Sequence, residues 1–179
     1  MAPKHKNYTT RVSGFLRPRH TVFDEEGKEL GVLEVQRSRL GLIVGADWKP
    51  AKGEVLQIRR DPGLLRAQFA CWTEAREWLG SSIRPGVARR TIEMWTGGKP
   101  LRLVPRLEFG RGWRIVGAKS GVVAKVDHGF LSRSAKISTF RKIDFELLIF
   151  AYFIGGLALW ESALPTSVEA VDRGTPAAA

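Results

Sequence analysis

The sequence is poor in the residues from which most enzyme and metal sites are built. Its 179 residues include one cysteine, Cys71, and three histidines, His5, His20 and His128. A lone cysteine excludes an intramolecular disulfide framework and any multi-cysteine zinc site. Three scattered histidines nearly exclude a histidine-built metal or catalytic cluster. No G-x-S-x-G elbow, Walker loop, H-E-x-x-H helix or dinucleotide fingerprint occurs. Gly45-Ala-Asp-Trp-Lys49 and Gly110-Arg-Gly112 are too short to be phosphate loops. The carboxylate pairs Glu25/Glu26 and Glu74/Glu77 read as solvated turn or surface residues. Cys71, inside the apolar run Phe69-Ala-Cys-Trp72, reads as a small buried hydrophobe, and His128 before Gly129 reads as part of a turn. The sequence thus predicts a protein that is not an enzyme and carries no cofactor or metal.

Long apolar stretches are also missing. The longest, Leu147–Trp160, has fourteen uncharged residues, or ~21 Å as a helix at ~1.5 Å per residue. A bilayer core needs ~20 residues and ~30 Å. The first residues, Met1-Ala-Pro-Lys-His-Lys, lack the apolar core of a secretory signal. These features predict a cytoplasmic protein, at most peripheral at a membrane.

Acidic residues are scarce in one region. Against 29 Lys and Arg the chain has 18 Asp and Glu, for a net charge of +11. Residues 81–142 contain only Glu93, Glu108 and Asp127 as acids, and their balance equals the whole excess. Residues 1–80 net +4 and residues 143–179 net −4, which cancel. Arginine outnumbers lysine in the basic region, and its planar fork suits phosphate oxygens. The candidate anion-binding residues are Arg84, Arg89, Arg90, Arg102, Arg106, Arg111 and Arg114. Trp95 and Trp113 lie among them and suit a headgroup interface or base stacking, although most of the six tryptophans are expected in the core.

What is plentiful is the strand–turn–strand pattern. Thr21–Phe23 and Leu30–Val35 flank Asp24-Glu-Glu-Gly27, where glycine supplies the positive φ of a hairpin turn. Val55–Ile58 and Leu64–Phe69 flank Asp61-Pro62-Gly63. Thr91–Trp95 and Leu101–Val104 flank Gly97-Gly98, and Trp113–Val116 and Val122–Val126 flank Lys119-Ser-Gly121. Within the third pair Ile92, Met94, Leu101 and Leu103 alternate with polar neighbours, which puts one face inward. Leu40–Val44 and Ala135–Phe140 form a further candidate strand pair. Cys71–Leu79 reads either as a two-turn helix capped by Thr73 or as a connection to a strand. Apolar content of 44% with 26% charged residues is that of a folded domain. Many short strands with glycine turns predict a closed barrel or sandwich.

The segment after Asp144 is apolar on every side, and such a helix must sit inside protein. Asp144 suits its N-cap, Glu146 the positive end of its dipole, and Ile143 a staple to Leu148. Gly155-Gly156 permits close approach from surrounding strands. The competing reading is a C-terminal membrane anchor at 147–160 with Arg141 and Lys142 on the cytoplasmic side.

The hairpin series, the Phe140-Arg-Lys-Ile-Asp144-Phe-Glu run and the apolar helix after it together resemble the tubby C-terminal domain-like superfamily. That group includes the LURP-one-related proteins and the phospholipid scramblases. The resemblance rests on Asp24-Glu-Glu-Gly27, Lys119-Ser-Gly121 and the helix Asp144–Trp160. It implies a mainly β fold, a closed antiparallel barrel of about twelve strands around a central C-terminal helix at about 145–160. The barrel would cover residues 8–161, with flexible ends at 1–7 and 162–179. Tubby-type members bind phosphoinositides through basic residues. The chain lacks the acidic calcium loop and the cysteine-rich segment of scramblases. The functional expectation is a non-catalytic module binding anionic phospholipid or another polyanion through a basic face in 81–142. The alternatives are a nucleic-acid-binding domain using the same charge and a structural scaffold.

Overall fold

The structure, a computed structural model, describes residues 5–14, 17–39, 41–61, 68–83, 91–98, 100–106, 111–128 and 134–161, with the backbone alone at 111 and 157–161. Twelve strands precede one helix. They are β1 (Lys6–Ser13), β2 (Arg19–Phe23), β3 (Glu29–Arg37), β4 (Ile43–Pro50), β5 (Leu56–Arg60) and β6 (Phe69–Thr73). β7 (Trp78–Ile83), β8 (Ile92–Thr96), β9 (Leu101–Pro105), β10 (Arg111–Gly117), β11 (Gly121–His128) and β12 (Ser134–Thr139) complete the sheet. The helix α1 spans Phe145–Glu161. Every strand pairs antiparallel with its sequence neighbours, and β12 returns to β1 with Lys6 opposite Thr139 and Arg11 opposite Ser134. Closure leaves no strand edge unpaired.

The sequence explains the pairing locally. In the β2–β3 turn the Asp24 carboxylate accepts hydrogen bonds from the amides of Glu26 (3.0 Å) and Lys28 (2.9 Å). Gly27, at φ +78°, adopts the left-handed conformation that lets the chain reverse. Alternation then sorts the side chains. Ile92, Met94, Leu101 and Leu103 face inward, whereas Trp95 and Arg102 face solvent, as the period-2 pattern requires.

Three sequence expectations change. Of the two readings of Cys71–Leu79 the helix fails and the connection to a strand is the nearer: β6 runs through Cys71 to Thr73, a turn follows, and β7 starts at Trp78. Thr73 still caps, but it caps a turn, accepting the Glu77 amide on its hydroxyl at 3.1 Å. Leu40–Val44 and Ala135–Phe140 are not partners, since β4 pairs with β3 and β5 while β12 pairs with β11 and β1. Lys6 and Asn7 belong to β1, opposite Thr139 and Ser138. The turn at Pro62-Gly63 lies outside the described residues.

The apolar helix fills the barrel. From Leu148 to Ile154 every side chain is at most 2% exposed. Its first intrahelical bond runs from the Leu148 amide to the Asp144 carbonyl at 3.0 Å, and Ile143 joins the same apolar cluster. Phe153 meets Phe69 edge-on at 5.5 Å, and Phe145 meets Trp48 at 5.8 Å. Among the described residues no helix is long and apolar enough to cross a membrane. The described part of the apolar run, Leu148–Ile154, is therefore protein core: a helix with no charged side finds its apolar surroundings in the ring of inward strand residues.

Candidate functional site

An up-and-down barrel sends alternate connections to opposite ends. The β1–β2, β3–β4, β5–β6, β7–β8, β9–β10 and β11–β12 connections share one end, and the remaining turns share the end where α1 enters. Charge divides along this axis. Among the described residues from each strand's last position to the next strand's first, the first end carries Arg17, Arg19, Arg37, Arg39, Arg60, Arg106 and Arg111. Its only acid in that set is Asp61. The helix-entry end is mixed: Asp24, Glu25, Glu26, Glu29, Glu54, Glu74, Glu77 and Asp144 face Lys28, Lys52, Arg76, Lys119, Arg141 and Lys142.

The candidate arginines fall on this frame unevenly. Arg84, Arg89 and Arg90 lie outside the described residues, as does the Arg111 side chain. Arg102 is on the outer wall in β9, with a 3.9 Å approach to Glu93. Arg114, exposed in β10, stands opposite Lys125 of β11. Arg106 follows β9 at the arginine end and is paired with Asp127, which Lys125 also approaches at 2.9 Å. Burial alone would raise the Asp127 carboxyl, but hydrogen bonds and charge from Lys125 and Arg106 outweigh it and hold the group below its usual range. The structure thus joins Arg106 to arginines from outside 81–142 and leaves Arg102 and Arg114 on the wall.

Arg17, Arg19, Arg37, Arg39 and Arg60 are the residues that sequence reasoning missed as a group. Arg19 is bound by Glu34 at 3.2 Å, and Lys49 holds the other oxygen of Glu34 at 2.8 Å. The hydrogen bond from Lys49, and the charges of Lys49, Arg19 and Arg17, lower the Glu34 carboxyl despite the opposing effect of burial. Arg37 donates to the Gly41 carbonyl at 2.8 Å. Such surface contacts use part of a guanidinium fork and leave donors directed outward.

The barrel has two further features of chemical interest. A cleft of about 990 Å³ opens at the helix-entry end, with an apolar floor including Leu56, Leu101, Val123 and Leu147 and a rim of Lys119, Arg141, Lys142, Glu54 and Glu146. Inside the barrel, Tyr152 bonds His20 Nδ1 at 2.8 Å and Thr10 at 3.1 Å, and His128 stacks on its ring at 6.1 Å. Burial pushes the Tyr152 hydroxyl up to about 12, the Thr10 bond opposing it. Burial and the Glu146 charge push the Cys71 thiol up to about 12 as well. A protonated phenol and thiol sealed in a core are structural groups, not nucleophiles. No set of three metal-ligating side chains converges among the described residues.

Fold and charge together define a closed antiparallel barrel around a buried helix, with arginine concentrated at one end. The chain is similar in structure to an X-ray structure of a protein from Arabidopsis thaliana, with a TM-score of 0.58 and 14% sequence identity over 89% of this chain and 93% of that one. That likeness is one of fold. No family model matches the chain, and no curated protein matches it.

Proposed function

We propose that this protein is a non-catalytic barrel module that binds anionic lipid headgroups through its arginine end. One observation carries the reading: within four connections at one end of the barrel the described residues include six arginines with described side chains, the Arg111 backbone position and one acid, Asp61, while Glu34 and Asp127 on the adjoining strands pair with Arg19 and Arg106. An end-on cluster presents cations toward a plane, as a headgroup surface requires. A strip along the wall would suit a nucleic-acid backbone better. Guanidinium forks match phosphate oxygens bidentately, and the attraction weakens as salt shortens the Debye length. The tubby-like resemblance supports the same ligand class. The proposed contact is the arginine end, to which the 81–142 stretch contributes Arg106 and the Arg111 position.

The test is co-sedimentation with neutral phosphatidylcholine vesicles, and with vesicles also containing phosphatidylserine or a phosphoinositide, beside a titration with single- and double-stranded RNA and DNA. Retention by anionic vesicles alone, reversed by salt, supports the reading. Tighter binding to nucleic acid than to anionic vesicles overturns it in favour of the same charge serving a polynucleotide. Binding to neither removes both.

A further inference from the structure

Apolar side chains are also exposed at the arginine end, which charge alone does not require. Leu42 is 47% and Val44 37% exposed, while Ile43 between them is 3% exposed. Among the described residues these two are the large hydrophobics left in water at that end. Leu42 lies in the β3–β4 connection, and Val44 is the second residue of β4. A β-bulge aims Val44 outward: Gln36 stands opposite Gly45 and Arg37 opposite Ile43, so the register skips Val44. A single exposed leucine is ordinary on a protein surface. Two apolar residues turned outward beside Arg37 and Arg39 make an amphipathic tip.

The cations around this tip are not offset by acids. From Arg37 to Ala46 the chain has no carboxylate. Asp47, the first, is held by Arg59 at 2.6 Å and by the Gln36 side-chain amide at 2.5 Å. Arg39 is exposed and makes no ion pair among the described residues. The Val35 amide donates to the Pro18 carbonyl at 3.0 Å, which ties the β1–β2 connection to β3 and keeps exposed Arg17 beside the tip. Glu34 is already engaged by Arg19 and Lys49. On the other side Arg60 and Asp61 cancel. The exposed Trp72, Trp78 and Trp95 differ in this respect, since Glu74, Glu77 and Glu93 share their surroundings with Arg76 and Arg102.

The backbone of the tip is prepared to leave water. The Ser38 amide donates to the Leu42 carbonyl at 2.8 Å, and the Gly41 amide to the Ser38 carbonyl at 3.0 Å. The Leu42 amide donates to the Ser38 hydroxyl at 3.2 Å, and Arg37 donates to the Gly41 carbonyl at 2.8 Å. Every N–H and C=O of Ser38, Gly41 and Leu42 is thus paired within the turn, so moving them out of water forfeits no hydrogen bond. Leu42 and Val44 are two residues apart, or ~7 Å along an extended strand. Interfacial elements sink their apolar faces ~5–10 Å into the boundary between headgroups and acyl chains. Long arginine stems let guanidinium groups stay at phosphate level while apolar side chains go deeper. A polynucleotide or a soluble phosphate offers no apolar layer to receive Leu42.

We infer that the β3–β4 connection is a membrane-inserting tip: Leu42 and Val44 enter the interface of an anionic bilayer while Arg37, Arg39 and Arg17 engage lipid phosphates. The inference rests on the lipid reading and adds the point of entry and the orientation, with the helix-entry end turned away from the bilayer.

The test places an environment-sensitive nitrobenzoxadiazole label at Leu42→Cys, with Val122→Cys at the helix-entry end as the control. Native Cys71 is buried and stays unlabelled. With phosphatidylserine-containing vesicles the label at position 42 should shift to the blue and be quenched by nitroxide lipids. The label at position 122 should do neither. Leu42→Asp should lose about tenfold in vesicle affinity, and Leu42→Phe should keep that of the parent. Both should melt close to the parent, because the position is exposed. Co-sedimentation of the same samples separates the failures. Retention by anionic vesicles with the label at position 42 still in water, or with Leu42→Asp binding like the parent, overturns the insertion and leaves the lipid reading standing. A shift at position 122 in place of 42 overturns both the tip and the arginine end as the contact. No retention at all overturns the lipid reading and the inference with it.

Discussion

The indole of Trp113, on β10, packs against Gly155 of the central helix so closely that a Cβ there would stand 3.0 Å from its Cδ1 and 3.2 Å from its Cγ. Helix propensity favours alanine over glycine by ~1 kcal/mol. Trp113 is 3% exposed and hemmed in by barrel side chains, so its ring has little room to give. Overpacking costs about 1–3 kcal/mol, which outweighs the propensity gain. Gly155→Ala is expected to destabilise by about 1 kcal/mol and Gly155→Val by about 3 kcal/mol, read from urea unfolding midpoints. A more stable Gly155→Ala variant would contradict the packing argument.

Tyr152 is the hydroxyl on which two inward-facing polar residues converge. Its oxygen lies 2.8 Å from His20 Nδ1 and 3.1 Å from the Thr10 hydroxyl, and Thr10 also receives the Ala135 amide at 3.0 Å. Tyr152→Phe keeps the ring and removes the shared oxygen, taking one bond from each partner in a dry interior. A loss of about 1–3 kcal/mol is expected. Thr10→Val should cost a comparable amount, and the double variant should cost less than the sum, because both changes remove the same bond. Strict additivity in the double-mutant cycle would show that the contact contributes nothing.

Alkaline pH should destabilise the fold through the same interior. Cys71 and Tyr152 both have folded-state values near 12, above 9.0 and 10.0 for the exposed groups. Between the unfolded and folded values the unfolded chain releases protons that the native protein keeps, so stability falls as pH rises. The contribution is intact below pH 9 and is lost upward, first through Cys71 and then through Tyr152, at up to about 1.4 kcal/mol per pH unit for each group. Cys71→Ala should flatten the early part of that decline. The parent thiol should react with iodoacetamide at pH 8 only under unfolding conditions. Rapid native-state alkylation would refute its burial.

Local chemistry made the hairpins legible, and topology hid the rest. Asp24, Gly27 and Gly121 announce reversals because the turn geometry demands those residue types. The β6–β7 turn carries no glycine. Arg76 takes the left-handed conformation at φ 64° instead, and Glu74-Ala-Arg-Glu77 has helix-compatible composition, so the segment imitates a short helix. The apolar helix announced itself because fourteen residues without a charge suit an apolar environment, and the run is short for a bilayer span. Charge counted by stretches of sequence concealed the arginine end. Arg17, Arg19, Arg37 and Arg39 share residues 1–80 with Asp24, Glu25, Glu26 and Glu29, and the sum is only +4. Up-and-down connectivity sends the two sets to opposite ends, so only counting by alternate connections separates them. The tryptophan expectation failed for a related reason. Hydrophobicity places tryptophan inside on average, but the strict period of β6 and β8 had already assigned the inward positions to Cys71, Thr73 and Met94.

Charge reversal can locate the anion site on this frame. Arg17→Glu with Arg39→Glu alters two exposed residues of the arginine end, and Arg102→Glu with Arg114→Glu alters two exposed residues of the wall. Each pair changes net charge by the same amount, so a diffuse field would weaken binding equally in both. A site at the arginine end predicts that the first pair loses about tenfold or more in affinity for anionic vesicles, with a shallower salt dependence. The wall pair should lose only a few-fold. Asp127→Asn moves the other way, since Asp127 holds Arg106 by its carboxylate and competes with an incoming phosphate. That variant should bind anionic vesicles a few-fold more tightly. It should also lose the stabilising contribution that Asp127, with its lowered pKa, makes above its unfolded value and gives up as pH falls through its folded one. Equal losses from the arginine-end and wall pairs, measured by co-sedimentation at two salt concentrations, would show that net charge alone sets the affinity.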